Sequence, residues 1–161
     1  MVTVMTKLEI ILINIFVRGL IMNKIESIYK NFKEESKDTI VIIKNGIFYY
    51  TYNDDAIILW NLFDYKIKDD NELGFGSNSY SKVLSKLKDK NLSYIVYDSS
   101  SNKLDEYLTD NNLYNTYLRI SKNKYNDSKL SNNLVNKINL LLEDNKDNYN
   151  VINDFLDSLL R

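Results

Sequence analysis

The 161-residue chain is long enough for one domain with a substantial core, and 44% hydrophobic with 27% charged residues is ordinary for a globular protein. Its 21 basic and 22 acidic residues leave a net charge of −1, so no overall positive field draws it to nucleic acid and any such contact must be local. Cysteine and histidine are both absent, which excludes disulfides, thiol or imidazole catalysis and Cys- or His-ligated metals, and fits a reducing, cytoplasmic setting.

Proline is absent too, while Asn, Lys, Ile and Tyr abound. Their codons are AT-rich, so this bias points to a low-GC bacterial genome rather than to a function. At the start of the chain, the apolar run Leu8 to Met22 is short and is broken by Glu9, Asn14 and Arg18. It suits neither a membrane span, which needs roughly 20 apolar residues, nor a signal peptide. Arg18-Gly19 is encodable as a ribosome-binding site one short spacer ahead of Met22. The expectation is that synthesis starts at Met22 and that residues 1–21 are upstream sequence translated in error. A membrane-surface helix is the alternative for this segment.

From Asn23 the patterns become regular. Ile25, Ile28, Tyr29 and Phe32 follow the i, i+3, i+4, i+7 rule and predict an amphipathic helix over 24–36. Thr39 to Tyr52 holds two β-branched and aromatic runs around Asn45-Gly46, which predicts a hairpin with a type I′ turn. The expected pairs are Lys44 with Ile47, Ile43 with Phe48, Ile42 with Tyr49, Val41 with Tyr50 and Ile40 with Thr51. Both hairpin faces are apolar, so it belongs in the middle of a sheet covered on both sides. Asn53-Asp54-Asp55 offers a cap and acidic first turn for a helix carrying Ala56, Ile58, Leu59 and Leu62.

Phe63 to Lys68 alternates as a strand does, and Glu72 to Phe75 reads as a second, short one. Gly74 to Ser79 reads as a loop whose Asn78 or Ser79 caps a helix bearing Val83, Leu84 and Leu87. Ser93 to Asp98 is another strand. Ser99 to Lys103 reads as loop, Leu104 to Leu108 as one or two helical turns, and Tyr114 to Ser121 as strand-like. Leu130, Leu134, Ile138, Leu141 and Leu142 form one helical stripe. Tyr149, Ile152, Phe155, Leu156, Leu159 and Leu160 form another, after a break at Asn145 to Asn148. The expected architecture is an α+β domain over 22–120, with a mixed sheet around the hairpin and flanking helices. A C-terminal helical hairpin over 121–161 is expected to pack on it or on a protein partner.

Two segments at compatible spacing resemble one known family. Lys44-Asn-Gly-Ile-Phe-Tyr-Tyr-Thr-Tyr-Asn-Asp-Asp-Ala56 resembles the Gly-Asp-Phe-Tyr-Glu…Asp-Asp-Ala segment of the N-terminal domain of MutS, the DNA mismatch-repair protein. Gly74 to Leu87 resembles that domain's Gly-x-Pro…Lys-x-x-x-x-Leu region, and Tyr94 to Asp98 takes the place of its next strand. The resemblance covers residues 24–98. It implies a mixed sheet with surrounding helices, and a Phe that wedges into duplex DNA while a Glu two residues on accepts a hydrogen bond from the mispaired base. Phe48 aligns with the wedge. Tyr50 stands in place of the Glu and Gly76 in place of the Pro, so the carboxylate acceptor is missing. No Gly-x-x-x-x-Gly-Lys-Ser/Thr phosphate loop occurs.

Three functional readings follow. The first is a stand-alone, non-catalytic module that binds distorted or mispaired double-stranded DNA weakly or with assistance, through Phe48 and Tyr50, with Lys82 and Lys86 on phosphates. The second keeps the fold but docks a protein through the C-terminal helices. The third is a metal-dependent nuclease, since Asp54 with Asp64-Tyr65-Lys66 mimics a carboxylate, carboxylate-x-Lys pattern. Each residue also has a plain structural role. Phe48 would face Ile43 in the core, Tyr50 has the aromatic character of a strand residue, Lys82 and Lys86 lie on a solvated helix face, and Asp54 and Asp55 serve as a cap. The first reading requires no catalytic residue, metal, cofactor or membrane.

Overall fold

The computed structural model describes residues 24–69, 71–144 and 148–159; the expected upstream extension, 1–21, lies outside them. The described chain divides into two compact units, one up to Ser121 and one from Lys122.

In the first unit, helix α1 (24–35) precedes strands β1 (Ile40–Asn45) and β2 (Phe48–Tyr52). Helix α2 (Asn53–Phe63), strands β3 (Ile67–Lys68) and β4 (Glu72–Gly76), and a 3₁₀ turn (Ser77–Ser79) follow. Helix α3 (Tyr80–Asp89), strands β5 (Tyr94–Asp98) and β6 (Lys103–Tyr107), and the start of helix α4 (Tyr114–Asp144) complete it. The six strands form one sheet in the order β3-β4-β2-β1-β5-β6, with β1 and β5 parallel and every other pair antiparallel.

The hairpin sits at the centre and is covered on both faces, as its composition predicts. Ile40, Ile42 and Tyr49 point to the side of α2 and α3, where Ala56, Leu59, Val83, Leu84 and Leu87 close the larger core. Val41, Ile43 and Tyr52 point to the other side and meet Ile25 and Tyr29 of α1. Stacked rings bind each layer. Phe32 lies 3.5 Å from Tyr97 on the α1 side, and Tyr49 lies 4.4 Å from Tyr80 on the other.

The hairpin turn differs from expectation by one residue. The observed pairs are Ile43 with Tyr50, Lys44 with Tyr49 and Asn45 with Phe48, so the loop is Gly46-Ile47. Gly46 has φ +60° and Ile47 is not in the positive-φ region, the pattern of a type II′ turn with glycine first. Every partner shifts by two, which keeps each side chain on its predicted face. Below Ile43 the ladder gives way to side chains. The Thr51 hydroxyl donates to the Val41 carbonyl at 2.9 Å, and the Val41 N–H donates to the Asp55 carboxylate at 2.9 Å. A Cβ at Gly46 would meet nothing within 4 Å. Gly46→Ala is therefore expected to lose only the left-handed backbone preference, about 1–2 kcal/mol, read as a lower midpoint in urea denaturation with unchanged slope.

Four other local expectations are corrected. Phe63 belongs to α2, which ends where Asp64 turns left-handed (φ 57°) and donates its N–H to the Trp60 carbonyl at 2.8 Å, so only Ile67–Lys68 is strand. Gly74 and Gly76 lie within β4, not in a loop, and neither Asn78 nor Ser79 caps α3 with its side chain. Leu104 lies in edge strand β6, not in a helical turn; Asp105 and Tyr107 turn inward while Leu104 and Glu106 stay exposed. Tyr114 to Ser121 is the start of α4, because Tyr114, Tyr117, Leu118 and Ser121 keep a helical spacing whose first three members pack on the core.

The second unit is helical. It holds the rest of α4 and α5 (Asn148–Leu159), the expected C-terminal helix pair. The Asn148 side-chain amide donates to the Leu141 carbonyl at 2.9 Å. Among the described residues no helix is long and apolar enough to cross a membrane.

Candidate functional site

The register places Phe48 at the hairpin tip, opposite Asn45 and not opposite Ile43. Phe48, whose plain structural role would be to face Ile43 in the core, is instead 46% exposed, beside Ile47 at 69%. The rest of the tip is uncharged. The Ser77 N–H of the 3₁₀ turn donates to the Ile47 carbonyl at 2.9 Å, which ties the tip to Ser77-Asn78-Ser79.

Along β2 the side chains alternate. Tyr49 is buried against Phe75 and Tyr80, so Phe48 and Tyr50 share the opposite face. Their ring centroids are 6.4 Å apart at an interplanar angle of 45°. Tyr50 is half-buried against the α1-side core, so the residue in place of the family's Glu lies beside the wedge position but offers a ring and a hydroxyl. Across the ladder, Phe48 pairs with Gly76 and Tyr50 with Gly74. A Cβ at Gly74 would stand 3.2 Å from the Tyr50 ring, whereas one at Gly76 would meet nothing within 4 Å.

The other sequence candidates do not converge on the tip. Lys82 is exposed and Lys86 half-buried on α3, which packs on the face of the sheet carrying Tyr49. Asp54 and Asp64 stand at opposite ends of α2, about 15 Å apart by helical rise. They cannot share one Mg²⁺, and no cluster of three potential metal ligands occurs among the described residues. The nuclease pattern is therefore a coincidence of spacing.

Asp54 and Asp55 stand in the first turn of α2 as expected, but the cap position falls at Tyr52, whose side chain makes no capping bond. Asp55 is fully buried. One of its oxygens accepts from the Lys33 ammonium at 2.7 Å and the Tyr114 hydroxyl at 2.5 Å. The other accepts from the Tyr29 hydroxyl at 2.9 Å and the Val41 N–H at 2.9 Å. Lys33 also donates to the Thr39 carbonyl at 2.7 Å, and the Tyr29 hydroxyl lies 2.8 Å from the Tyr52 carbonyl. Burial pushes the Asp55 carboxyl upward from its ordinary value, against the pull of Lys33, Tyr114 and the Val41 N–H. Burial and then the Asp55 charge push the Tyr29 and Tyr114 hydroxyls upward, so both remain donors at neutral pH. This hub locks α1, α2 and α4 to the base of the hairpin. Its signal in the sequence is Asp55 standing in line with the apolar stripe of Ile58, Leu59 and Leu62 at helical spacing.

These features sit within a stretch that matches a known domain. A family model described as MutS domain I matches residues 23–125, well over half of the chain. No curated protein matches the sequence. The hairpin with Phe48 at its tip, the helices around it and the hub beneath it all fall inside the matched residues, and the chain belongs to the MutS domain I family, a DNA-binding domain of mismatch repair.

Proposed function

We propose that this MutS N-terminal-domain-like module is non-catalytic and binds double-stranded DNA at mispaired or distorted sites by inserting Phe48. The observation that carries the reading is the exposed Phe48 ring at the tip of the central hairpin. A stacked aromatic replaces base stacking that a distorted site has already partly lost, and a wedge of this kind kinks the duplex. Only a duplex bent around the tip would bring phosphates to Lys82 and Lys86 on α3. With a net charge of −1 the chain supplies little general attraction to phosphate, so binding is weak or assisted. We place the activity in the cytoplasm, on the absence of cysteine.

Fluorescence anisotropy of the full chain against matched, mismatched and bulged duplexes at two salt concentrations tests this. Tighter binding to the distorted duplexes is expected, and it should disappear in Phe48→Ala. Binding without preference, unchanged by the substitution, would reduce the protein to a weak phosphate surface.

A second reading, docking of a protein partner, is favoured by one observation. In the helical unit Leu130, Leu134 and Phe155 are exposed, and α5 buries none of its described residues. Absence of any DNA binding would turn the search to that surface.

A further inference from the structure

The helical unit runs from Lys122 to Arg161, and none of its described residues is buried. A stretch of about 40 residues cannot hold a fold on its own core and needs disulfides, a metal or association. The chain has no cysteine, and no cluster of three potential metal ligands occurs among the described residues. Association is left, and the side chains are arranged for it. At about 100° per residue, Leu130, Leu134 and Leu141 fall within about 40° of one another around α4, with half-buried Ile138 and Leu142 beside them. The large apolar residues of α5 share one arc of about 160°, broad enough to pack on two helices at once. Only Ile152 among them is half-buried, while Phe155, Leu156 and Leu159 are exposed.

Size and charge identify the partner. From Leu130 to Leu159, ten large apolar side chains are 40–69% exposed. With each offering on the order of 80 Å² of apolar surface, the set amounts to roughly the 800 Å² per partner that a standard interface buries. From Lys122 to Leu142, α4 carries four lysines and one aspartate, whereas α5 carries Asp154 and Asp157 and no basic residue. Two copies related by a two-fold axis can therefore set the acidic helix of each against the basic helix of the other. An anionic membrane surface would be repelled by the same two aspartates. We propose that the exposed apolar face of α4 and α5 docks the same face of a second copy of this chain, forming a two-fold, four-helix bundle. The inference does not depend on DNA binding. It rests on the second reading above, the docking surface, and names its partner.

Sedimentation equilibrium of the full chain, from low to high micromolar concentration, tests this. The expected mass is twice 19.0 kDa, falling toward 19.0 kDa on dilution. Leu134→Glu and Phe155→Glu should each raise the dissociation constant by roughly 100-fold or more, since each substitution enters a two-fold interface twice. Asn132→Glu adds the same charge on the opposite side of α4 and should change it by no more than about threefold. Near-ultraviolet circular dichroism, which reports the packed tyrosines of the sheet domain, should be the same in all four proteins. A dimer unaffected by Leu134→Glu and Phe155→Glu, or assemblies that grow beyond two chains, would overturn the proposal. So would a single-chain mass at every concentration, and binding of the dye anilinonaphthalene sulfonate then separates two cases. Dye binding that Leu134→Glu lowers would leave the face open to a different protein. No dye binding would show the face covered within the chain and overturn the docking reading as well.

Discussion

Asp55→Ala is expected to destabilise the sheet domain by about 3–5 kcal/mol, the range for removing one partner of a buried ion pair. The size follows from what is left behind. The Lys33 side chain is only 19% exposed and would be left with no carboxylate beside it. The Tyr114 hydroxyl and the Val41 N–H would lose their carboxylate acceptor at one buried point, while the Tyr29 hydroxyl would keep only the Tyr52 carbonyl, and an unsatisfied buried group costs roughly 1–3 kcal/mol. A domain of this size has a total stability of about 5–15 kcal/mol, so the variant stands close to unfolding. Urea denaturation followed by circular dichroism measures the loss as a shift in midpoint at constant slope. Asp55→Asn retains one acceptor oxygen but turns an amide donor toward groups that are themselves donors, and its loss should be a large fraction of the alanine value. A loss below about 1 kcal/mol in Asp55→Ala would mean that water or repacking satisfies the four donors.

Phe48→Ala is expected to leave stability almost unchanged and to weaken binding to distorted duplexes by roughly 5- to 150-fold, the equivalent of about 1–3 kcal/mol for a lost base–aromatic stack. Stability is spared because the ring is half in solvent and its loss opens no sealed cavity. Matched duplex should be bound no differently, since that binding draws on phosphate contacts alone. The slope of log affinity against log salt should also be the same in wild type and variant, because no cation is removed. Lys82→Ala together with Lys86→Ala should do the opposite, flattening the salt slope while leaving the preference for distorted sites intact. Titrations at several salt concentrations separate the two effects. Equal affinity of wild type and Phe48→Ala for a bulged duplex would remove Phe48 from the interface.

Much of the fold was legible because its periodicities are long or strong. The stripes of α1 and α3 and the apolar runs of β1, β2 and β5 allow one placement, and a hairpin apolar on both faces had to lie mid-sheet. Asn45-Gly46 satisfies the type I′ preference so well that the local sequence points to the wrong turn. The alternative leaves only Gly46 left-handed and gains the Thr51 and Asp55 contacts to Val41, which no local pattern reveals. The local patterns of Leu104 to Leu108 and Tyr114 to Ser121 point to the wrong element types for a related reason. Each stretch is short, and pairing with β5 or packing on the core decides its form. At the site, the resemblance singled out Phe48, but its exposure depends on the register and so became visible only in three dimensions. Asp55 looked like a cap because acidic residues at a helix start usually are caps, and Tyr29, Lys33 and Tyr114 are too far away in sequence to betray it.

The parallel pairing of β1 with β5 has a consequence for how the chain is made. Ile40 is matched to Tyr94 and Lys44 to Asp98, so one edge of the most apolar strand waits for a partner about 50 residues downstream, a wait of several seconds at roughly 5–20 residues per second of synthesis. The hairpin can close in microseconds once Tyr52 has emerged. During translation its β1 edge then stands as an unpaired template of Ile, Val, Ile and Ile, open to the same strand on a neighbouring nascent chain. The strand order that buries the hairpin in the finished protein thus makes the period before β5 emerges the interval of greatest aggregation risk. Slower translation between β2 and β5 should lower the soluble yield more than slower translation after β5.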